Sequence, residues 1–460
     1  MSIERAVSED QAEEDLAFSI GAQAYVWGYP LVVSAATALV ATNTDRPLPN
    51  GHAPFNSFGH VSRLFTAADR DVVSSNVDTV YSSAFLDLKQ GAALLSVPDT
   101  DGRYYSLMLE DAFTNVFGYI GSRATGEKAG RYLIRGPGWN GAVPAGLDGV
   151  IDAPTFLAWI IGRTLVDGED DLAAVGQLQA QYELSIVPPA IEVTPIRQRW
   201  GLALQPGLVP VEQVETLRWD EYFHWVGQLM RENPPPESDR ALVSQFTRIG
   251  LGVGAGFAPE TLLASTLRGL DRAHAAGKRI VQREALNSGT SEANGWAYNL
   301  SQGEWGLDFC LRAAIAFRSL GQNTAEEALY FNTRQDRDGR PLDGSTNYTL
   351  TFADGQEPPT DGFWSVTMYD ASNFFVENRI GRYAIGNRTK GLTTAHDGSL
   401  TLSIQRFAPQ GAQAANWLPA PEGGFRLSLR LYIPKSSVLA GGWTPPAVEV
   451  RDMRAEQCGS

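Results

Sequence analysis

The sequence predicts an α+β fold: two related β-sandwich or jelly-roll-like units joined by a helical middle region and preceded by an N-terminal helix. Three observations carry this. β-prone runs cluster in two separate stretches, helical patterns fill the segment between them, and one turn-and-strand sequence occurs twice. The chain has 460 residues, more than one ordinary core organises, and its 43% hydrophobic and 19% charged content is that of a globular protein.

The N-terminal segment, 1–55, is helical. Ser8 stands before Glu9, Asp10 and Gln11, a capping residue followed by acids that suit the helix dipole, so a helix is expected over about 11–41. Gly28 and Pro30 should kink or break it. Tyr25, Trp27 and Tyr29 read as packing residues. The first β unit, 56–166, has its clearest strands at 104–109, 131–135 and 156–163. In the middle region, 167–330, helices are expected at 167–184, 211–231, 239–249, 259–287 and 306–320. The glycine-rich run 250–256 lacks the G-x-G-x-x-G spacing and follows no strand, so it reads as a joint between helices rather than a phosphate loop. The jelly-roll-like C-terminal unit, 331–460, carries strands at 348–352, 363–369, 399–406 and 425–433. In the last, Phe425, Leu427, Leu429 and Leu431 alternate with Arg426, Ser428, Arg430 and Tyr432, the pattern of a strand with one buried face.

The two β units repeat. Residues 100–112 have a counterpart in 360–371, with the order Asp-Gly turn, aromatic pair, Ser, strand, Asp-Ala, and Arg103 as the one extra residue. The match continues from Asn115 and Phe117 to Asn373 and Phe375, and from 120–123 to 385–388. A duplicated unit follows, with Asp111 equivalent to Asp370 and Arg123 to Arg388.

Acids outnumber bases 52 to 37, a net charge of −15 that repels phosphate backbones and anionic lipid, and no basic patch intervenes in the sequence. Neither a nucleic-acid nor a membrane partner is expected. Cys310 and Cys458 are too isolated for a disulfide framework. The acidic start through Glu14 lacks the form of a secretory signal, and the apolar run 30–40 is too short to span a bilayer, so a cytoplasmic location is expected. His52, His60, His224, His274 and His396 form no metal motif, and there is no P-loop, nucleophile elbow or C-x-x-C. No cofactor and no metal are expected, although scattered loop aspartates leave calcium open.

Chemistry is sought where the repeats differ. The segment 76–81, seen only in the first β unit, gathers Asn76, Asp78, Thr79 and Tyr81: an amide, a carboxylate, a hydroxyl and a phenol within one turn. The same residue types also build turns and caps. Glu110, replaced by Tyr369 in the second copy, and Arg103, absent from it, join the candidates. Asp78 is expected as general acid or base, positioned by Asn76 and assisted by Tyr81, with Arg103 stabilising an anion. The expected function is a cofactor-independent hydrolase, lyase or isomerase acting on a small polar or carbohydrate-like molecule. The alternative is a non-catalytic ligand-binding or assembly protein. Tyr104, Tyr105, Trp364, Trp417 and Trp443 are candidates for sugar stacking, against a packing role. A homo-oligomer is expected through the aromatic and proline-rich loops 417–421 and 443–446.

Several stretches also resemble a known bacterial family. Residues 76–82, 96–105 and 132–139 resemble the module called domain of unknown function 1254. Residues 363–369, 416–421, 429–432 and 442–446 resemble its usual C-terminal companion, domain of unknown function 1214. The resemblance covers most of 15–450. It implies a jelly-roll C-terminal module and self-association, and no particular reaction.

Overall fold

The computed structural model describes residues 8–70, 74–188, 193–287 and 291–451. Val7 and the residues before it, and the tail that holds Cys458, lie outside these; Cys310 is a free, exposed thiol.

The N-terminal helix, Glu9–Ala41, starts where Ser8 accepts a hydrogen bond from the Gln11 amide. It runs through Gly28 and Pro30 without the expected break. Burial explains this: it packs against the helices Ala264–Asn287 and Phe309–Ser319, so tertiary contact offsets the hydrogen bond lost at Pro30. Tyr25, Trp27 and Tyr29 are fully buried in it. The helix is long and apolar enough to cross a membrane, but it is the core helix of the helical region, packed round with Phe113, Trp200, Tyr222, Phe223 and Phe246.

Each β unit is two sheets face to face. In the first unit the inner sheet has the order Gly59–His60, Thr79–Asp87, Leu157–Leu165, Tyr105–Asp111, Val116–Gly121, and the outer sheet Gly149–Asp152, Gly130–Arg135, Ala92–Val97, Glu183–Val187. Leu86, Leu107 and Ile160 of the inner sheet close on Ala93, Leu95 and Ile134 of the outer one. In the second unit the inner sheet runs Ser291–Ala293, Trp296–Tyr298, Ala328–Thr333, Phe425–Tyr432, Trp364–Asp370, Ala384–Gly386. Its outer sheet runs Trp417–Pro419, Leu400–Gln405, Tyr348–Phe352, Glu449–Val450.

The middle region is less helical than its pattern predicts. Of 167–184 only Leu172–Gln179 is α-helical, and Glu183–Val187 pairs with Ala92–Val97 as an edge strand. Residues 291–298 form a hairpin that extends the second unit's inner sheet. Residues 211–231 divide into Pro210–Thr216 and Trp219–Met230, and the glycine run folds as a two-rung hairpin, Leu251–Gly252 against Gly256–Phe257. Local propensity identified the helices, but sheet edges recruited short segments that carry no strong strand pattern of their own.

The loops expected to make an oligomer contact are occupied within the chain. Trp417 and Trp443 are buried and donate their indole N–H to the Gln405 and Gln356 carbonyls. Tyr104, Tyr105 and Trp364 are buried as well, so none of these rings is an open sugar platform.

Candidate functional site between the β units

The duplication is visible in the register. Ser106 lies opposite Arg163 and Gly121 in the first inner sheet, and Ser365 lies opposite Arg430 and Gly386 in the second. Asp111 and Asp370 close equivalent turns. Each carboxylate accepts from backbone amides two and four residues on, Phe113 and Asn115 in one copy, Ser372 and Phe374 in the other. Thr114 and Asn373 take the same positive φ, 65° and 69°, so Asn373 is the counterpart of Thr114, and Phe374 that of Asn115, one residue away from the expected match of Asn115 with Asn373. A Cβ on Gly121 would sit 2.4 Å from the Tyr105 carbonyl oxygen, and one on Gly386 2.0 Å from that of Trp364, so both copies need glycine at the same rung.

The inner sheets present a polar face to each other. In the first, Tyr81 stands opposite Arg163, whose guanidinium lies 5.6 Å from the phenol ring centre. Asn76 positions Tyr81: its Nδ2 donates to Tyr81 Oη at 2.7 Å, while its Oδ1 accepts from the Asp78 and Thr79 amides at 3.0 and 2.9 Å. The turn chemistry and the phenol contact use opposite ends of one amide. In the second sheet Tyr330 stands opposite Arg430, with the guanidinium 6.0 Å from the ring centre, and Asn323 Nδ2 donates to Tyr330 Oη at 3.3 Å. Asn323 Oδ1 also accepts from Arg163, so the two half-sites touch. Tyr81 and Tyr330 are partly exposed; Arg163 and Arg430 are 7% and 5% exposed.

This corrects the expectation that the segment 76–81 has no counterpart. The carbonyl of Asp78 accepts from the Val166 amide, and that of Glu327 from the Ile433 amide, at 3.0 and 2.9 Å, which makes Glu327 the register partner of Asp78. Asp78 accepts from Ser365 Oγ at 2.7 Å and pairs with Arg388 at 3.4 Å, both from the second unit. Glu327 accepts from Tyr104 Oη and Arg123 Nε of the first unit, each at 2.7 Å. The repeated arginines thus reach across the interface reciprocally, each to the other unit's carboxylate. Asp78, 4% exposed, is held in a clamp between the units.

The structure brings Asn76, Asp78 and Tyr81 together and leaves two candidates apart. Arg103 pairs with Asp171 at 2.5 and 2.8 Å and donates to the Leu165 carbonyl. Its link to Asp78 runs through Asp167 and Arg388. Glu110 points to the same side as Ser106, four residues further along the strand, about 13 Å at ~3.3 Å per residue. It is 2% exposed and its Oε1 has no hydrogen-bond partner. Burial, then the neighbouring Asp111, pushes its carboxyl up to about 8, against the pull of Arg163. Arg163, Tyr330, Arg426 and Arg430 were not singled out from sequence. Strand alternation placed Arg426 and Arg430 opposite the buried leucines, but could not say that a second sheet covers that face. A separate cleft of about 480 Å³ in the helical region, lined by Leu202, Leu204, Asp220, His224, Trp225 and Phe257, contains none of the expected site residues. Among the described residues no cluster of His, Cys, Asp and Glu has the makings of a metal site.

The family described as protein of unknown function DUF1254 matches residues 55–185, and that described as protein of unknown function DUF1214 matches 327–436. These spans hold Asn76, Tyr81 and Arg163 of one half of the facing polar layer and Tyr330 and Arg430 of the other, while Asn323 lies just before the second span. The chain belongs to the two-module family that pairs these domains. No curated protein matches it. A crystal structure of a Vibrio parahaemolyticus protein is similar with a TM-score of 0.72 at 20% identity, covering 95% of this chain and 100% of that one, a likeness of fold. A Burkholderia cenocepacia protein, uncharacterised, aligns at a TM-score of 0.42 and 11% identity over 96% of each chain.

Proposed function

We propose that this DUF1254–DUF1214 protein is a cofactor-independent enzyme, a hydrolase, lyase or isomerase, that works on a small polar molecule in the layer between its β units. The observation that carries this is Tyr81, a partly open phenol oriented by Asn76 and flanked by a buried guanidinium, Arg163. In this reading Tyr81 transfers the proton, Arg163 faces the charge that develops on the substrate, and Asp78 is a positioning residue that holds the units in register through Ser365 and Arg388. Arg103 and Glu110 act outside the reacting centre. The buried state of the aromatic residues named from sequence favours a small polar substrate over a sugar chain.

The experiment is to incubate the purified protein with a metabolite extract and follow depletion by mass spectrometry. The wild type should consume a metabolite that Tyr81→Phe consumes about 10²–10⁴-fold more slowly. A metabolite that is bound but returned unchanged would establish the binding protein instead. Equal turnover by Tyr81→Phe would remove the phenol from the mechanism.

A further inference from the structure

The two inner faces are equivalent at one end and opposite in character at the other. In the first sheet the positions four residues beyond Tyr81 and Arg163 are Phe85 and Trp159, stacked at 4.7 Å, with Phe85 buried in the core of the helical region and half-buried Trp159 packed against it. The register puts Arg426 at the corresponding place of the second sheet, with Arg334 one residue past the end of the strand Ala328–Thr333 that pairs beside it, and Tyr369 where the first has Glu110. An apolar contact in one copy is a row of guanidinium groups in the other.

These groups have neutral partners. Arg426 donates to Asn332 Oδ1 and Ser74 Oγ, both at 2.7 Å, and lies 4.6 Å from the Tyr369 ring centre, while its Nε is buried with no acceptor. Arg430 donates to Thr367 Oγ1, Tyr369 Oη and the Ser74 carbonyl. Arg334, exposed, donates to the Ala371 carbonyl and to Asn373 Oδ1. Arg318 stands close enough to add its repulsion to that of Arg334 and Arg430 on Arg426. Among the described residues no carboxylate forms an ion pair with Arg426, Arg430, Arg334 or Arg318, and the charge of Asp78, near Arg430, is already taken by Arg388. Arg318 and Arg334 are exposed, but Arg430 is buried and Arg426 half-buried, and two like charges held largely out of water without counter-charge are costly; a carboxylate or phosphate is the partner that guanidinium forks fit.

We propose that this end of the layer binds the anionic group, a carboxylate or a phosphate, of the small molecule that reaches Tyr81. Arg426 and Arg430 form the inner contacts and Arg334 the outer one. The proposal rests on the reading that the layer between the units is the functional site. It gives the asymmetry between the copies a purpose: the first sheet anchors to the helices, and the second holds the ligand.

Isothermal titration calorimetry at constant ionic strength tests this, with succinate and inorganic phosphate as probes. The wild type should bind at least one of them at one equivalent, with Kd of about 1 mM or tighter. Arg426→Gln should weaken binding at least tenfold, and Arg337→Gln, an exposed arginine paired with Glu449, should leave it unchanged. If Arg426→Gln fails to fold, Arg334→Gln is read in its place, with weakened binding expected. Which probe binds identifies the anion. Saturable binding of neither probe by the wild type, or equal binding by the arginine variants and the control, overturns the proposal. Because no turnover is read, anion binding together with an unaffected Tyr81→Phe reaction would sink the acid–base reading alone.

Discussion

Glu110→Gln is the sharpest electrostatic perturbation the structure offers. A glutamate that ordinarily titrates at 4.5 is held at about 8 here, chiefly by burial and then by Asp111. An acid whose folded value lies above its unfolded value leaves stability untouched below the unfolded value. As pH rises past 4.5 the unfolded chain ionises while the native carboxyl stays protonated, so stability falls until the native group also ionises near 8. The gap of roughly 3.5 units, at ~1.4 kcal/mol per unit, sets an upper limit of about 5 kcal/mol, of which ~3.4 kcal/mol is lost by pH 7. Glutamine removes the titration. Its amide also meets the site that leaves Oε1 without a partner, a cost that does not vary with pH. Urea melts of wild type and variant between pH 5 and 8 provide the assay. The variant's stability relative to the wild type should climb steadily across that window. Parallel pH profiles would show that Glu110 is not held protonated.

Three further outcomes follow from the same geometry. Glu327→Gln, which strips the charge from a 1%-exposed side chain that pairs with Arg123 at 2.7 Å, should cost about 3–5 kcal/mol in denaturant melts, and Asp78→Asn less, because the Asp78 side chain is more open, at 6%, and its arginine, Arg388, lies 3.4 Å away. Equal, negligible losses would show that the reciprocal clamp does not hold the units together. Gly386→Ala and Gly121→Ala should each destabilise by about 1–3 kcal/mol, since a Cβ meets backbone oxygen in both copies; a neutral result at either would break the equivalence. Trp417→Ala should cost about 3–5 kcal/mol by denaturation and leave the light-scattering mass unchanged, because the ring is buried within the chain; a change in mass with stability intact would restore the contact surface expected from sequence.

Much of the fold was legible because the signals are local. The Asp-Gly turns, the aromatic pair and the closing aspartates of 100–112 and 360–371 specify equivalent strands, and the structure keeps their register through Ser106 and Ser365. Asn76 as a turn-former and Tyr81 as its neighbour were also legible, since five residues of chain set that contact. What stayed hidden depends on distant pairing. Glu327 matches Asp78 in register but differs in residue type, so no sequence repeat reveals it. Arg426 and Arg430 look like the solvent face of an amphipathic strand until the first unit's sheet is set against them. Pro30 should interrupt a helix in isolation, and only its burial explains why it does not.

On the proposed function, the layer between the β units is where the molecule meets its ligand. A crystal structure of the protein soaked with the anion that binds in solution addresses it most directly. Density for the anion is expected between Arg426 and Arg430, with the rest of a bound ligand directed toward Tyr81 and Tyr330. Anion density confined to exposed arginines such as Arg337, with only water beside Arg426, would contradict it.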